Sequence, residues 1–474
     1  MKIIQRLAFF LIFLIVVLNL ISGSGCAVIV PPTGGPRDSI PPKLVTVSPR
    51  DSSLNVTDNR IIFNFDEFVV LDNAQQNLII SPTPKLNPII DSKLRTVTIK
   101  LKDTLQPNTT YFFDFGKSIK DNNEGNILKN FYYVFSTGPY LDSLEFGGNV
   151  IVAETGKKDS TLIVILHKKL DDSAVVNDRP RYAVRVDSTG SFMFHHLAPG
   201  IYNVFALKDE GGSKRYLSKS QLFAFYDKPI IIQQVNQPVT LYAYAENEEV
   251  KKPAAKTASS AKKEVKEKRL VVQTNLANNV VDLLDSFKIQ FQIRLKTFDS
   301  TKVHFQDGLF KDIHPFLLTK DSTGKQLIII NKWLPDSPYH LILEKDFAED
   351  SLGRKLLKTD TISFRAKKES DYGEVRIRFK NLDLSKNPVL QFLQGKDVKF
   401  HYSLTTAQFN KKLFVPGDYD LRILYDNNKN GIWDPGDYFV NHKQPEKAFP
   451  VPIRNKKKIF TVKANWENDL DITL

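Results

Sequence analysis

Between Asp426 and Asp437 the chain reads Asp-Asn-Asn-Lys-Asn-Gly-Ile-Trp-Asp-Pro-Gly-Asp. Side-chain oxygens stand at loop positions 1, 3, 5, 9 and 12, on Asp426, Asn428, Asn430, Asp434 and Asp437. Gly431 holds position 6, and Ile432 offers its backbone carbonyl at position 7. This alternation suits calcium, which takes roughly six to eight hard oxygens from a loop that winds around it. The glycine permits the sharp bend. Asp at position 12 is shorter than the usual Glu, so bidentate closure there is weaker. The same residues also make an Asx-rich hairpin turn that needs no metal. On sequence alone both readings stay open. A bound calcium would be structural, with an affinity on the order of 10⁻⁴ to 10⁻³ M.

Other groups that could do chemistry are sparse. Asp66 and Glu67 are adjacent, as are His195 and His196. Neighbours on a strand point to opposite faces, so neither pair converges on one bond or one ion without a bulge. The chain contains no Gly-x-Ser-x-Gly, His-Glu-x-x-His or phosphate-loop motif. No catalytic set is expected, and the chain reads as a non-enzyme. Trp433, inside the acidic loop, is the best candidate for an aromatic glycan platform. An exposed hairpin-tip Trp would support that role, and a packed one would count against it.

The only cysteine, Cys26, follows a basic start (Lys2, Arg6), an apolar run from Leu7 to Ile21, and the small residues 22–25. The run is short for a membrane span, which needs about 20 apolar residues, and its flanks read as an export signal. The lone thiol at its end resembles the lipid-modified cysteine of bacterial lipoproteins, although Gly23 stands where that pattern prefers Leu. An uncleaved anchor and an ordinary signal peptide are the alternatives. With no second cysteine, no disulfide forms within the chain, and its cores alone must hold it together.

Composition sets the frame for these groups. The 474 residues include 33 Phe and 16 Tyr, enough apolar material for several cores. The formal charge of +13 is unevenly spread. Lys251 to Arg269 holds eight basic and two acidic residues, which reads as a solvated, self-repelling linker. No basic helix or aromatic platform accompanies the charge, so nucleic acid is not an expected partner.

The linker separates two halves that repeat. Ile61, Phe63 and Phe65 alternate as Phe287, Ile289 and Phe291 do, the period of a half-buried strand. Pro107, Tyr111 and Gly125 recur 228 residues later as Pro335, Tyr339 and Gly353. Leu197-Ala-Pro-Gly-Ile-Tyr202 recurs 217 residues later as Phe414-Val-Pro-Gly-Asp-Tyr419. A Pro-Gly turn before a Tyr-led strand fits a β-sandwich corner. There Pro fixes φ, Gly is expected to take a positive φ, and the Tyr hydroxyl satisfies a buried backbone group. Short strands between turn residues predict an all-β protein of tandem, duplicated β-sandwiches.

The segment from Pro41 to about Gly138, with Phe65-Asp66-Glu67-Phe68-Val69 and the Pro107–Tyr111 turn, resembles the bacterial Ig-like domain of S-layer and other envelope proteins. The Pro- and Gly-rich run after Cys26 is similar to the tether of Ig-like-domain lipoproteins of Gram-negative bacteria. The Pro-Gly-x-Tyr units resemble transthyretin-like or carboxypeptidase-regulatory-like sandwiches, and the acidic loop resembles those of EF-hand or dockerin type without flanking helices. The resulting organisation is a signal peptide at 1–25, a tether at 26–40, an Ig-like domain at 41–138, and a transthyretin-like sandwich at 139–247. A linker at 248–269, a second Ig-like domain at 270–367 and a second transthyretin-like sandwich at 368–474 complete the chain. The resemblance implies a lipid-anchored, non-enzymatic cell-envelope protein of the outer membrane, with modules in series acting as spacer, scaffold or interaction module for an envelope protein or glycan. An adhesion or glycan-binding lipoprotein is the alternative, and an envelope hydrolase is a third reading. The sequence does not decide between the periplasmic and surface faces, and no acidic cluster follows Cys26 to support surface export. Recurrent Asp-Ser/Thr-apolar triplets, such as Asp172-Ser173-Ala174 and Asp350-Ser351-Leu352, resemble O-glycosylation acceptors, but turn formation before an apolar strand residue is the favoured reading.

Overall fold

A computed structural model describes residues 8–17, 38–246, 269–453 and 459–474. Cys26, most of the tether and nearly all of the linker lie outside the described residues. Residues 8–17 are helical, and no helix among the described residues is long and apolar enough to cross a membrane. The rest is nearly all β, in tandem sandwiches. It divides into two compact units, one formed mainly by residues up to Pro139 and the other from Tyr140 onward.

In the first unit one sheet runs in the order Leu44–Ser48, Arg60–Phe65, Thr96–Lys100, Ile89–Lys93. Alternation in Arg60–Phe65 turns Ile61, Phe63 and Phe65 inward and leaves Arg60, Ile62 and Asn64 on the outer face. Inside, Phe63 meets Phe115 and Tyr133 edge-on at 5.1 and 5.2 Å. Such edge contacts let ring edges meet ring faces and add to area burial.

In the second unit a second Ig-like sandwich repeats this order: Val272–Thr274, Phe287–Phe291, Gln326–Ile330, Leu317–Lys320. Its core stacks Phe287 on Phe364 at 4.8 Å and buries Trp333, whose indole donates to the Asp285 carbonyl. Gly125 and Gly353, paired by the repeat, both adopt positive φ (79° and 76°) in turns tied to Asp121 and Asp350 carboxylates.

The two Pro-Gly-x-Tyr sandwiches also share one topology. A three-stranded sheet (Ser191–Leu197, Leu144–Val152, Val239–Ala243) faces one ordered Tyr182–Arg185, Leu162–His167, Gly200–Lys208, Phe223–Phe225. The later copy has Gln408–Phe414, Gly373–Lys380, Glu467–Thr473 against Asp397–Ser403, Pro388–Gln394, Gly417–Tyr425, Lys447–Pro450. Tyr202 and Tyr419 are buried, and each hydroxyl donates to the carbonyl four residues back, Ala198 and Val415. The expected corner is present. The reason for its glycine differs between the copies, for Gly417 has the positive φ expected, 156°, and Gly200 does not. A Cβ at Gly200 would stand 3.2 Å from the Tyr202 ring. There the glycine clears space for the tyrosine rather than supplying a left-handed turn.

Leu162–His167 is buried at every residue, as is Pro388–Gln394 apart from its last. A strand buried on both faces cannot alternate, because neither side meets water. The outer faces of these sheets are therefore covered, in part by the acidic loop.

Candidate ion-binding loop and its contact with the second sandwich

The loop leaves the strand Gly417–Tyr425 at Asp426 and returns at Lys447–Pro450. Asp426 is 1 % exposed and accepts from the N–H groups of Lys429 and Gly431, both at 2.6 Å. Gly431 has φ of 79°, the left-handed bend that brings its N–H around to Asp426. Asn428 Oδ1 accepts from the Asn430 N–H, and Asn430 Oδ1 from that of Ile432. The amide nitrogens of both asparagines donate to Asp434. Asp426, Asn428, Asn430 and Asp434 therefore gather as expected, and Ile432 is exposed beside them.

Asp437 does something else. Its backbone exchanges two hydrogen bonds with Lys443 and its carboxylate caps the Val440 N–H, which closes a tip turn. The carboxylate that joins the cluster is Glu446, 1 % exposed, accepting from the Asn427 and Asp434 N–H groups at 2.7 and 3.2 Å. Burial raises the Glu446 pKa; those N–H groups oppose the rise, and the charges of Asp426 and Asp434 add to it. Glu446 escapes a sequence reading because it lies beyond the twelve-residue frame and reaches the cluster through the returning chain. As they stand, no three His, Cys, Asp or Glu side chains among the described residues form a ready metal-binding group. The donor set is nevertheless all hard oxygen, and each carboxylate oxygen that accepts one N–H retains a lone pair for a cation.

Trp433 is packed, not presented. Its indole donates to the Glu446 carbonyl at 2.7 Å, and its ring lies against Val389, Leu424 and Ala448. The expected glycan platform at this residue is therefore not available.

Beyond Asp437 the loop reaches the second sandwich. Tyr438 inserts its ring beside Phe225, Phe205 and Phe223 at 4.9, 5.4 and 5.6 Å. Its hydroxyl donates to Asp172 Oδ1, and His442 Nε2 pairs with Asp172 Oδ2, both at 2.9 Å. Gln444 donates to the Phe225 carbonyl and to Asp227. Gly436 lies flat on Tyr244, where a Cβ would come within 2.7 Å of the ring. Nearby, the buried Arg422 donates to Gln391 and to the Glu154 carbonyl, and the Ala448 N–H donates to the Ala153 carbonyl. Lys447 Nζ stands 4.0 Å from the centre of the Tyr242 ring. Modules expected in series thus include a second and a fourth that pack on each other. On this face His167 is buried with Nε2 unpartnered, edge-on to Phe205, and burial lowers its pKa to about 4.

The remaining candidates stay apart. Asp66 accepts from the Lys43 N–H. Glu67 has a pKa raised by burial and by the neighbouring charges of Asp121, Asp66, Asp38 and Glu124. His195 pairs with Glu145, while His196 bonds to the Asp142 carbonyl. The Asp172 and Asp350 carboxylates of the glycosylation-like triplets are both engaged, Asp350 with Arg354 and the N–H groups of its own turn.

Residues 38–137 match the family model described as bacterial Ig-like domain. A comparison with curated proteins finds no match. Among solved structures, native alpha-2-macroglobulin from Escherichia coli (domains MG0-NIE-MG1) is 13 % identical, with 41 % of this chain and 78 % of that chain covered and a TM-score of 0.20. The Bacillus anthracis TIE protein is 11 % identical over 94 % and 75 % of the two chains, TM-score 0.16. The N-terminal part of the bacterial S-layer protein SbsC is 15 % identical over 44 % of each, TM-score 0.16. Superpositions this loose carry no functional argument.

Proposed function

We propose that this chain is a non-enzymatic, lipid-anchored scaffold of the bacterial cell envelope, held at the outer membrane through Cys26. The observation that carries this reading is where the polar side chains are engaged. Asp66, His195, His196, Asp426 and Glu446 each bond to backbone or to a neighbour in their own module, and no catalytic set converges among them. An array of side chains engaged outside the cores joins one sandwich to another. The bacterial Ig-like match at 38–137 supports an envelope setting.

Calcium is part of the proposal, as a structural ion held by Asp426, Asn428, Asn430, Asp434 and the Ile432 carbonyl. Glu446 takes the closing role expected of Asp437. The ion would supply charge neutralisation for buried carboxylates and nothing catalytic.

Cys26→Ser tests the anchor: the variant is expected in the soluble fraction of lysed cells, and retention with membranes would overturn lipidation. For the scaffold reading, a variant combining D66N, E67Q, H195A and H196A is expected to complement a deletion strain as well as the wild type. Loss of complementation by that variant, folded and expressed normally, would return the enzyme reading.

A further inference from the structure

The outer face of the first Ig-like sandwich departs from the pattern of a solvated sheet. Across it Arg60 stands directly opposite Lys100, and Lys93 opposite Thr96 with Arg95 in the adjoining turn. Like charges directly opposite one another destabilise a strand pair. All four cations are exposed, and none forms an ion pair among the described residues. Two carboxylates lie close by. Asp91 faces Thr98, and Asp58 is engaged with the Arg60 backbone N–H. Neither forms an ion pair among the described residues.

The same face of the second Ig-like sandwich shows that the fold does not require this charge. There the outward residues of the matching strands include Lys288, Gln290, Gln326, Ile328 and Ile330. Lys288 is paired with Asp285 at 3.1 Å, while Lys320 and Lys325 at the strand end and turn are exposed without an ion pair among the described residues. Of the two copies, the first sets two cations directly opposite each other, Arg60 on Lys100, whereas in the second Lys288 faces Ile328 and Lys320 faces Leu327.

Between the two cationic rows lie Ile62, Thr98 and Asp91, one carboxylate in a stretch that otherwise offers hydroxyl and amide groups. Thr46, Asn64 and Thr96 form one hydrogen-bonded rung across three strands, with Thr98 two residues along. Lys100 and Thr96 are four residues apart on one strand, so the basic ends are separated by roughly 14 Å at about 3.4 Å per residue. That gap spans a few linked sugar rings. The face bounds an open recess of about 720 Å³, closed on one side by Phe68, over which the Arg95 guanidinium lies at 5.5 Å. Phe68 is half exposed and offers an apolar edge to the non-polar side of a sugar ring.

We propose that this face binds an acidic polysaccharide. Carboxylates of the polymer would meet the Arg60–Lys100 and Lys93–Arg95 pairs, and ring hydroxyls would meet the Thr and Asn rungs. Spaced cations with hydrogen-bonding groups between them suit a polymer whose charges and hydroxyl groups alternate along one chain.

The test compares the full-length protein with a variant carrying R60Q, K93Q, R95Q and K100Q. Both keep the Lys-rich linker, so any difference reports the face. In affinity electrophoresis through polygalacturonate at low salt, the wild type is expected to be retarded. The variant, with an unchanged circular dichroism spectrum, should bind at least tenfold more weakly. Lys288→Gln on the second copy should leave binding unchanged, and neutral dextran should retard neither protein. Equal retardation of wild type and quadruple variant would overturn the proposal. So would a quadruple effect seen only with anionic phosphatidylglycerol vesicles and not with the polymer.

Discussion

The second and fourth sandwiches share strand order and tyrosine corner, yet they differ in the loop that leaves the Tyr-led strand. In the second, residues 209–222 make a local turn in which Tyr216 packs on Phe223. In the fourth, residues 426–446 fold around Asp426 and Glu446 and then extend Tyr438 onto the partner sandwich. A duplicated fold has thus been turned into a matched pair by lengthening one loop. The aromatic face of the second copy, Phe205, Phe223 and Phe225, is the socket, and the loop of the fourth is the plug.

The difference is most directly broken at Tyr438. Replacement by Ala removes the ring and its bond to Asp172, and is expected to cost about 3–5 kcal/mol of stability in denaturant unfolding. Tyr438→Phe should cost only about 1 kcal/mol. Equal and negligible effects would mean that the loop merely rests on the second sandwich.

Calcium sharpens the contrast, since only the fourth copy retains the oxygen set. If the dissociation constant is on the order of 10⁻⁴ M, about 100-fold excess calcium stabilises by about 2.7 kcal/mol. Thermal unfolding should shift upward with calcium and return with chelator, and Glu446→Gln should abolish the shift. A melting point indifferent to chelator would leave the loop as an Asx-rich turn.

His167 reports on the socket. Its folded pKa, about 4, lies below the ordinary histidine value of 6.5 because burial disfavours the cation. The folded state thus binds fewer protons than the unfolded one between these values. Stability is full above about pH 6.5 and falls as pH drops toward 4, by on the order of 3 kcal/mol. His167→Leu should remove that part of the acid dependence. An unchanged pH profile would place His167 in a wetter environment than the sealed face requires.

The smallest effect tests what the copies share. Tyr202→Phe and Tyr419→Phe should each cost about 1 kcal/mol, the value of one buried hydrogen bond. Unequal losses would show that the corners have diverged along with the loops.

Much of this pairing is legible in the sequence. Tyr202 and Tyr419 can be matched because each copy solves the same problem, a buried hydroxyl beside an orphan carbonyl. Asp426, Asn428, Asn430 and Asp434 can be grouped because ligand spacing within one loop is local. Glu446 cannot, since its place depends on how the chain returns after the Tyr438 tip. The covered sheet faces do leave a signal, in the unalternating runs Leu162–Leu166 and Val389–Leu393. Such runs say that both sides are dry without saying what lies there. Gly200 stands out in the sequence for the wrong reason, because a turn glycine and a clearance glycine look alike until the tyrosine ring is placed.

One further consequence concerns force. In three of the sandwiches an early strand pairs in parallel with the last. These pairs are Leu144–Val152 with Val239–Ala243, Val280–Val281 with Asp360–Ala366, and Gly373–Lys380 with Glu467–Thr473. In a parallel pair, the chain enters one strand and leaves the other at opposite ends of the ladder. Tension applied through the chain therefore slides the two strands past each other, so the ladder's hydrogen bonds share the strain instead of opening one by one. Resistance to pulling follows the unfolding rate rather than equilibrium stability. On that measure the long ladder from Glu374 to Lys380 is the clamp of the last sandwich, and the two-rung ladder at Val280 and Val281 is the first of the three to slip.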